Sequence, residues 1–267
     1  MPAAPAHPTA ELTGREAAVL AALSRMAGLA PSPVLIARLR RAALLVAACE
    51  PAAAGLDEPR WAELLDAVTV QETRLYRHPG QSRLVGELLP ERLARTRDEG
   101  RPLRLLSAGC ATGEEAFTLG AQSLAATELV PGARVEVIGL DLCRPALASA
   151  TSGHIAPGLS DPLGLVPEEL LPWLTGSDGK PRLHPALRRL LNFRRANLLD
   201  GVEAHGKFDV IFCRNVLIYL TDSARLSVMR ALASGLRPGG ILALGPTDRP
   251  PEGLTPMGGA VWLAPHG

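Results

Sequence analysis

Leu103-Arg-Leu-Leu-Ser-Ala-Gly-Cys-Ala-Thr-Gly-Glu-Glu-Ala-Phe117 is the stretch on which the reading of this chain turns. It begins as a short apolar strand, turns through Ser107, Ala108, Gly109 and Cys110, and opens a helix near Thr112 or Gly113. A strand, a glycine turn and a helix N-terminus make a cofactor cradle. Glycine lets the backbone approach a ligand closely, and the first helical N–H groups have no intrahelical partner. The spacing then selects among cofactors. A dinucleotide cradle asks for G-x-G-x-x-G around a pyrophosphate, whereas here only Gly109 and Gly113 are present and Glu114 and Glu115 follow at once. Two carboxylates would repel a pyrophosphate and tolerate a cofactor with a cationic centre. S-adenosylmethionine, with its sulfonium and ammonium groups, is such a cofactor. The plainer reading of the same residues is an ordinary βα turn with solvated glutamates.

Downstream, strands and helices alternate. Val135 to Leu140 is an apolar, β-branched run ending at Asp141, an acid placed either to accept hydrogen bonds from a ribose diol or to cap the helix expected over Pro145 to Ala150. Leu190 to Arg194 reads as a third strand, followed by Asn197 and Leu198. Phe208 to Cys213 reads as a fourth, running into Arg214, Asn215 and, further on, Tyr219. A helix is expected from about Thr221 to Leu236, then a tight turn at Pro238-Gly239-Gly240, a fifth strand over Ile241 to Gly245 and a terminal strand over Val261 to Ala264. This alternation implies an α/β fold with a parallel, doubly wound sheet, in which ligands bind beyond the carboxyl ends of the strands. The candidate groups Ala108 to Gly113, Asp141, Asn197 and Arg214-Asn215 all fall at such ends. A segment rich in Pro and Gly, about 153–188, interrupts the alternation and reads as a small inserted subdomain.

Before the first strand the periodicity is helical. Residues 1–11, rich in Ala and Pro, read as a disordered tail without the basic start or apolar core of a signal peptide. A helical N-terminal domain is expected over 12–80. Thr13 caps one helix that runs to Met26, a second starts at Ser32-Pro33 and carries Ile36, Leu39, Leu44, Leu45 and Val46, and a third spans Trp61 to Val68. Arg38, Arg40 and Arg41 cluster on the second helix, either as a docking face for an acidic partner helix or as a solvated face. A linker helix over 81–100 then leads into a catalytic domain over 101–267.

Composition bounds the function. The chain has 267 residues, 47% of them hydrophobic, with a net charge of +1, so a sizeable core is available and no global field draws in nucleic acid or an anionic membrane. Its four cysteines, Cys49, Cys110, Cys143 and Cys213, show no C-x-x-C. That excludes the usual zinc patterns and points to reduced thiols in a cytoplasm. No apolar run approaches the roughly 18 residues that a spanning helix requires.

Taken together, five motifs carry a resemblance: Thr69-Val-Gln-Glu-Thr-Arg-Leu-Tyr-Arg77, Ser107-Ala-Gly-Cys-Ala-Thr-Gly-Glu-Glu115, Asp141, Asn197-Leu-Leu199 and Phe208-Asp-Val-Ile-Phe-Cys-Arg-Asn-Val-Leu-Ile-Tyr219. In order and spacing the chain resembles the CheR-type chemoreceptor methyltransferases, which use S-adenosylmethionine to esterify receptor glutamates. The resemblance implies a Rossmann-like class I methyltransferase domain, a helical N-terminal domain and a small inserted β-subdomain. It implies that Ala108, Gly109 and Glu114 lie along the cofactor, with Asp141 on the ribose and Leu142, Asn197 and Leu198 around the adenine. Cys213, Arg214 and Asn215 would line the methionyl part, with Gln71, Thr73 and Arg77 on the side that closes over it. Arg77 and Tyr219 would face the methyl group and the substrate carboxylate, and the partner would be the cytoplasmic helical region of a methyl-accepting receptor.

The residue types suit such chemistry. A glutamate with an ordinary pKa near 4.3 is already ionised at neutral pH and requires no general base. The enzyme's task is then alignment, and Arg77 suits a positioner of one carboxylate oxygen. Three departures from the family pattern stand out: Leu75 precedes Tyr76 where a second aromatic is usual, His78 replaces an acid, and Pro246-Thr247-Asp248 replaces a His-Ser-Glu sequence. The insert's loop around Leu174 to Pro185 is short, which argues against dependence on a receptor's C-terminal tether peptide. A methyltransferase for another acceptor, or a cofactor-binding sensor without turnover, remain the alternative readings.

Overall fold

The computed structural model describes residues 12–155 and 161–266; the expected disordered tail at 1–11 lies outside them. The chain divides into two compact units, one ending at Val68 and the other beginning at Thr69. The break thus falls earlier than the domain boundary expected at residue 80. The physical reason is that Leu75 and Tyr76 are buried in a cluster with Phe117, Leu174 and Leu187 of the larger unit.

The smaller unit is helical. Helix α1 (Gly14–Ala27) starts in a capping box: Thr13 Oγ1 accepts from the Glu16 N–H at 3.2 Å, and Glu16 Oε2 accepts from the Thr13 N–H at 2.8 Å. The expected second helix is two, α2 (Pro33–Arg41) and α3 (Ala43–Ala48), because Ala42 leaves helical geometry. No glycine or proline announces that break. Helix α4 (Pro59–Val68) buries Trp61, Leu64 and Leu65, and Leu23 of α1 and Leu39 of α2 are buried as well.

The larger unit opens with α5 (Pro79–Asp98) and then winds β1 (Leu103–Ala108), α6 (Glu114–Leu129), β2 (Val135–Asp141) and α7 (Arg144–Ser152). After the insert come α8 (Leu171–Leu174), α9 (Pro185–Leu190), β3 (Leu191–Arg195), β4 (Phe208–Cys213), α10 (Asp222–Gly235), β5 (Leu236–Leu244), β6 (Thr255–Gly258) and β7 (Val261–Leu263). The described residues form one seven-stranded sheet in the order β3-β2-β1-β4-β5-β7-β6. Strands β1 to β5 are parallel, as expected, and β5, β7 and β6 pair antiparallel. One face buries Val85, Leu89 and Leu119 of α5 and α6 against Leu105 and Phe212, and the other buries Val228 and Leu232 of α10 against Leu106 and Ile211. Parallel strands covered on both faces explain why β1 and β4 read as nearly continuous apolar runs.

Three local expectations are corrected. Pro238-Gly239-Gly240 does not precede the fifth strand but lies within β5, where the register against β4 shifts between Phe208 and Val210. The bulge is held because the Gly239 N–H donates to Pro265 and the Ala264 N–H to Gly240. Strand β6 contains Pro256 and Gly258, which hide it from a propensity reading, and a proline is tolerated there because β6 is the sheet's edge. The insert forms a 3-10 turn at Glu168–Leu170, helix α8 and a single antiparallel bridge, Thr175 to Pro181, with no strand among the described residues where a β-subdomain was implied. Pro162, Pro167, Pro172 and Pro181 each lack the N–H that a ladder needs. Leu170, Leu174 and Leu183 anchor the insert against Phe117 and Leu187 instead.

Candidate functional site

The carboxyl ends of β1, β2, β3 and β4 lie side by side, and the loops after them are tied together. Gly109 has φ 77°, and a Cβ there would stand 2.3 Å from Val216 Cγ2, so only glycine lets the β1 loop pass under the turn after β4. The Gly109 and Cys110 N–H groups both donate to the Leu140 carbonyl, at 2.7 and 3.0 Å. Asp141 then spans two loops: Oδ2 accepts from the Ala111 N–H at 2.8 Å and Oδ1 from the Cys143 N–H at 2.9 Å. Burial pushes its carboxyl up from the ordinary range, and these N–H bonds oppose the rise. Leu142 accepts from Arg195 Nε at 3.2 Å, and Asn197 Oδ1 caps the short turn that begins at Leu198. Gln71 Nε2 approaches Cys143 Sγ at 2.8 Å, which brings the segment before α5 onto the same edge.

The two glutamates of the loop have separate fates. Glu114, in the first turn of α6, is buried and held by the Thr112 hydroxyl at 2.7 Å; burial raises its pKa, and no ion pair to it is present among the described residues. Glu115 points the other way. Its Oε1 accepts from Ser107 Oγ at 2.7 Å, and its Oε2 from Arg214 Nε at 2.7 Å. Sequence reasoning set the two carboxylates side by side as candidates for a cation, and the fold consumes one of them in a buried ion pair.

Arg214 is 5% exposed and organises the rest of the edge. Its Nη1 donates to the Arg77 carbonyl and, at 3.2 Å, to Gln81 Oε1, and its guanidinium lies 4.7 Å from the Phe212 ring centre. Nη2 is buried without a hydrogen-bond partner among the described residues. Gln81, which sequence reasoning missed, also donates to the carbonyls of Leu244 and Ala260, at 3.0 and 2.9 Å. Nothing in the sequence separates it from the other polar residues of α5. Cys213 is fully buried behind Arg214, and burial pushes its thiol well up.

Arg77 sits between two residues in left-handed conformation, Tyr76 (φ 50°) and His78 (φ 56°); Ala111 (φ 47°) and Asn215 (φ 59°) are strained in the same way. Each such residue costs roughly 1–2 kcal/mol. Four of the five described non-glycine residues with positive φ thus stand on this one edge, and strain of this kind concentrates at functional sites. The Tyr76 N–H donates to Thr118 Oγ1 at 2.9 Å, and the Arg77 carbonyl also accepts from Ser82 Oγ at 3.1 Å, so the backbone around Arg77 is held from two sides. The Arg77 side chain is half-buried and donates to the Glu72 carbonyl at 3.1 Å. Thr73 is half-buried on the same segment. Tyr219 is half-buried at the end of the 3-10 turn Leu217–Tyr219, beyond Arg214 and Asn215.

His78, where the family pattern has an acid, is bonded from Nε2 to Asn215 Oδ1 at 3.1 Å. Burial pulls its pKa below the ordinary 6.5; the Asn215 bond opposes this, and the charges of Arg214, Arg77 and Arg74 add to it. The folded state therefore prefers neutral His78. Its contribution to stability is complete above the unfolded value of about 6.5 and is lost as pH falls below it, because the unfolded chain then binds the proton first. Urea midpoints of the wild-type protein and His78→Gln should run parallel above pH 7 and diverge below about pH 6.5, the wild type losing more. Equal slopes would remove His78 from this role.

The model for the CheR methyltransferase, SAM binding domain, matches residues 71–255. The chain belongs to the CheR methyltransferase family. It is 34% identical over 188 residues to a chemotaxis protein methyltransferase of Vibrio parahaemolyticus, covering 69% of this chain and 66% of that protein. It is 33% identical over 193 residues to chemotaxis protein methyltransferase 1 of Pseudomonas aeruginosa, covering 69% and 68%. A probable biofilm formation methyltransferase, WspC, of Pseudomonas putida is 35% identical over 187 residues, covering 69% of this chain and 43% of that protein. The chain thus spans about two thirds or less of the length of these relatives.

The cofactor of a CheR domain is S-adenosylmethionine, and the residues present fit it. Glu114 is a buried carboxylate without an ion-pair partner among the described residues, which suits a cationic amino-acid moiety. The orphaned Arg214 Nη2 suits a carboxylate oxygen. No helix among the described residues is long and apolar enough to cross a membrane.

Proposed function

We propose that this chain transfers a methyl group from S-adenosylmethionine to glutamate side-chain carboxylates of chemoreceptors, forming methyl esters in chemosensory adaptation. The observation that carries the reading is Arg77. Its backbone is clamped by Arg214 and Ser82 beside the cofactor cradle, while its guanidinium meets only a carbonyl among the described residues and has donors left for a carboxylate. Ala108, Gly109 and Glu114 would hold the amino-acid end of the cofactor, and Asp141, Leu142, Asn197 and Leu198 its nucleoside. Gln71, Thr73, Cys213, Arg214 and Asn215 would close the remaining sides.

Bound S-adenosylmethionine supplies an electrophilic methyl on a sulfonium. The ionised glutamate supplies the electron pair, so no proton has to move. Arg77 holds one carboxylate oxygen and leaves the other free to attack, and Tyr219 lines the approach. Opposite charges vanish as the ester forms, so alignment and exclusion of water carry the rate; proximity of this kind is worth roughly 7–11 kcal/mol. Cys213 and Cys110 are buried with thiols pushed well up, which argues against a sulfur nucleophile.

The substrate would be the cytoplasmic helical region of a receptor. Arg38 and Arg41 of α2 are its proposed contacts: Arg41 is exposed, Arg38 is half-buried and donates to the Ala67 carbonyl at 3.5 Å, and Arg40 lies 3.5 Å from Glu16. The single Thr175–Pro181 bridge offers no strand edge for a tether peptide, which favours receptors recognised without one. The 35% identity to a protein named as a probable biofilm formation methyltransferase supports keeping receptors outside chemotaxis among the proposed substrates.

The test is transfer of a labelled methyl group to a cytoplasmic receptor fragment from the same organism, followed by mild alkali. Release of the label as volatile methanol is expected. Alkali-stable label would overturn the glutamate reading in favour of another acceptor, and absence of label with tight S-adenosylhomocysteine binding would favour a sensor.

A further inference from the structure

Asp248 follows β5, where the family pattern places an acid of different length, and nothing in the reading above uses it. It is 2% exposed, and neither carboxylate oxygen has a hydrogen-bond partner among the described residues. A buried charge without hydrogen bonds is costly, so its presence asks for a reason. Its surroundings supply one. A Cβ on Gly245 would stand 2.7 Å from Asp248 Oδ2 and 3.5 Å from the Asn215 backbone nitrogen, so the carboxylate lies over the end of β5 against the turn that follows β4. The cation nearest to it is Arg225 of α10, whose Nη2 is 4.0 Å from Oδ1. Arg225 Nε in turn donates to the Leu217 carbonyl at 3.3 Å. Leu217 opens the 3-10 turn that ends in Tyr219. Arg249, the other nearby cation, is turned onto the carbonyls of Pro246 and Asp248, at 3.3 and 2.9 Å.

We propose that Asp248 is a positioning residue that acts through Arg225 to hold the turn carrying Tyr219. The carboxylate draws the Arg225 guanidinium inward, and the guanidinium fixes the Leu217 carbonyl and with it the direction in which Tyr219 leaves the turn. Two segments that the sequence keeps apart, the stretch that runs from the turn after β4 into α10 and the loop after β5, are thereby joined. The proposal rests on the methyl-transfer reading, in which Tyr219 lines the path of the incoming carboxylate. Burial pushes the Asp248 carboxyl up, and Arg225, then the Gly245 backbone and Arg249, oppose the rise, so the folded state is strained by the very charge that the positioning uses.

Strain retained for positioning has a signature that a structural role lacks. Asp248→Asn keeps the volume and removes the charge. It is expected to leave Tm unchanged or raise it by a few degrees, to leave S-adenosylhomocysteine affinity within twofold of wild type, and to lower kcat on a labelled receptor fragment about tenfold. In a Tyr219→Phe background the same substitution should cause no further loss. Arg225→Gln cuts the chain from its other end at a partly exposed position and should lower kcat equally, and the double variant should be no worse than either single one. Wild-type kcat in Asp248→Asn or in Arg225→Gln would overturn the proposal, and so would an undiminished effect of Asp248→Asn in the Tyr219→Phe background. Failure of the underlying reading looks different: the wild-type protein itself would then yield no alkali-labile label.

Discussion

Arg77→Ala should lower methyl transfer by about 10²–10³-fold, the range seen when one preorganised donor to the reacting group is removed. The protein should stay folded, because the side chain is half-buried and its hydrogen bond to the Glu72 carbonyl is worth only about 0.5–1.5 kcal/mol. What holds the segment in place is the backbone of residue 77, gripped by Arg214 and Ser82, and the burial of Leu75 and Tyr76; alanine preserves both. Arg77→Lys should recover only part of the loss, because an ammonium keeps the charge without the planar fork that orients a carboxylate. Initial rates on the labelled receptor fragment, read beside thermal unfolding, check this. Turnover within threefold of wild type in Arg77→Ala would remove Arg77 from the reaction.

Glu115→Ala should be the most destabilising single change at the site, by about 3–5 kcal/mol, because it strands a buried guanidinium. Arg214 would keep Gln81, the Arg77 carbonyl and the Phe212 ring face but lose its only ion-pair partner among the described residues, and Ser107 would lose its acceptor. Against a typical total of about 5–15 kcal/mol this is a large fraction. In a unit of this size it corresponds to a fall in Tm of roughly 6–20 °C. Glu114→Ala makes the contrast: its glutamate pairs with no cation among the described residues, so its loss should weaken cofactor binding far more than it lowers Tm. Differential scanning calorimetry of the two variants, with and without S-adenosylhomocysteine, separates the roles. A Glu115→Ala protein as stable as Glu114→Ala would contradict the assignment of the ion pair.

The contrast between the neighbouring glutamates marks how far the sequence reaches. The strand-turn-helix of Leu103 to Phe117 was legible because its signals are local: an apolar run, a glycine whose missing Cβ the turn requires, and a helix start. The alternation behind it was legible for the same reason. Residues at the ends of buried parallel strands are separated by whole βα units, yet the topology brings them to one edge, so Asp141, Asn197 and Arg214 could be placed together before any coordinate was known. Local signals failed where a distant partner decided the outcome. The stretch Pro238-Gly239-Gly240 became a bulge inside β5 because the C-terminal segment pairs with it. The edge strand β6 formed around a proline that no propensity would place there.

By itself, then, the sequence determined the fold class, the strand-turn-helix of Leu103 to Phe117 and the family, because hydrophobic period, glycine spacing and motif order are properties of neighbouring residues. Only the tertiary structure decided that Glu115 belongs to Arg214, that Gln81 ties α5 to the strand ends, that His78 meets Asn215, and that Arg225 stands 4.0 Å from Asp248. Most of these are contacts between groups far apart in the chain. Charge and hydrogen-bond complementarity act through space, and a partner chosen in space leaves no periodic trace in the order of residues.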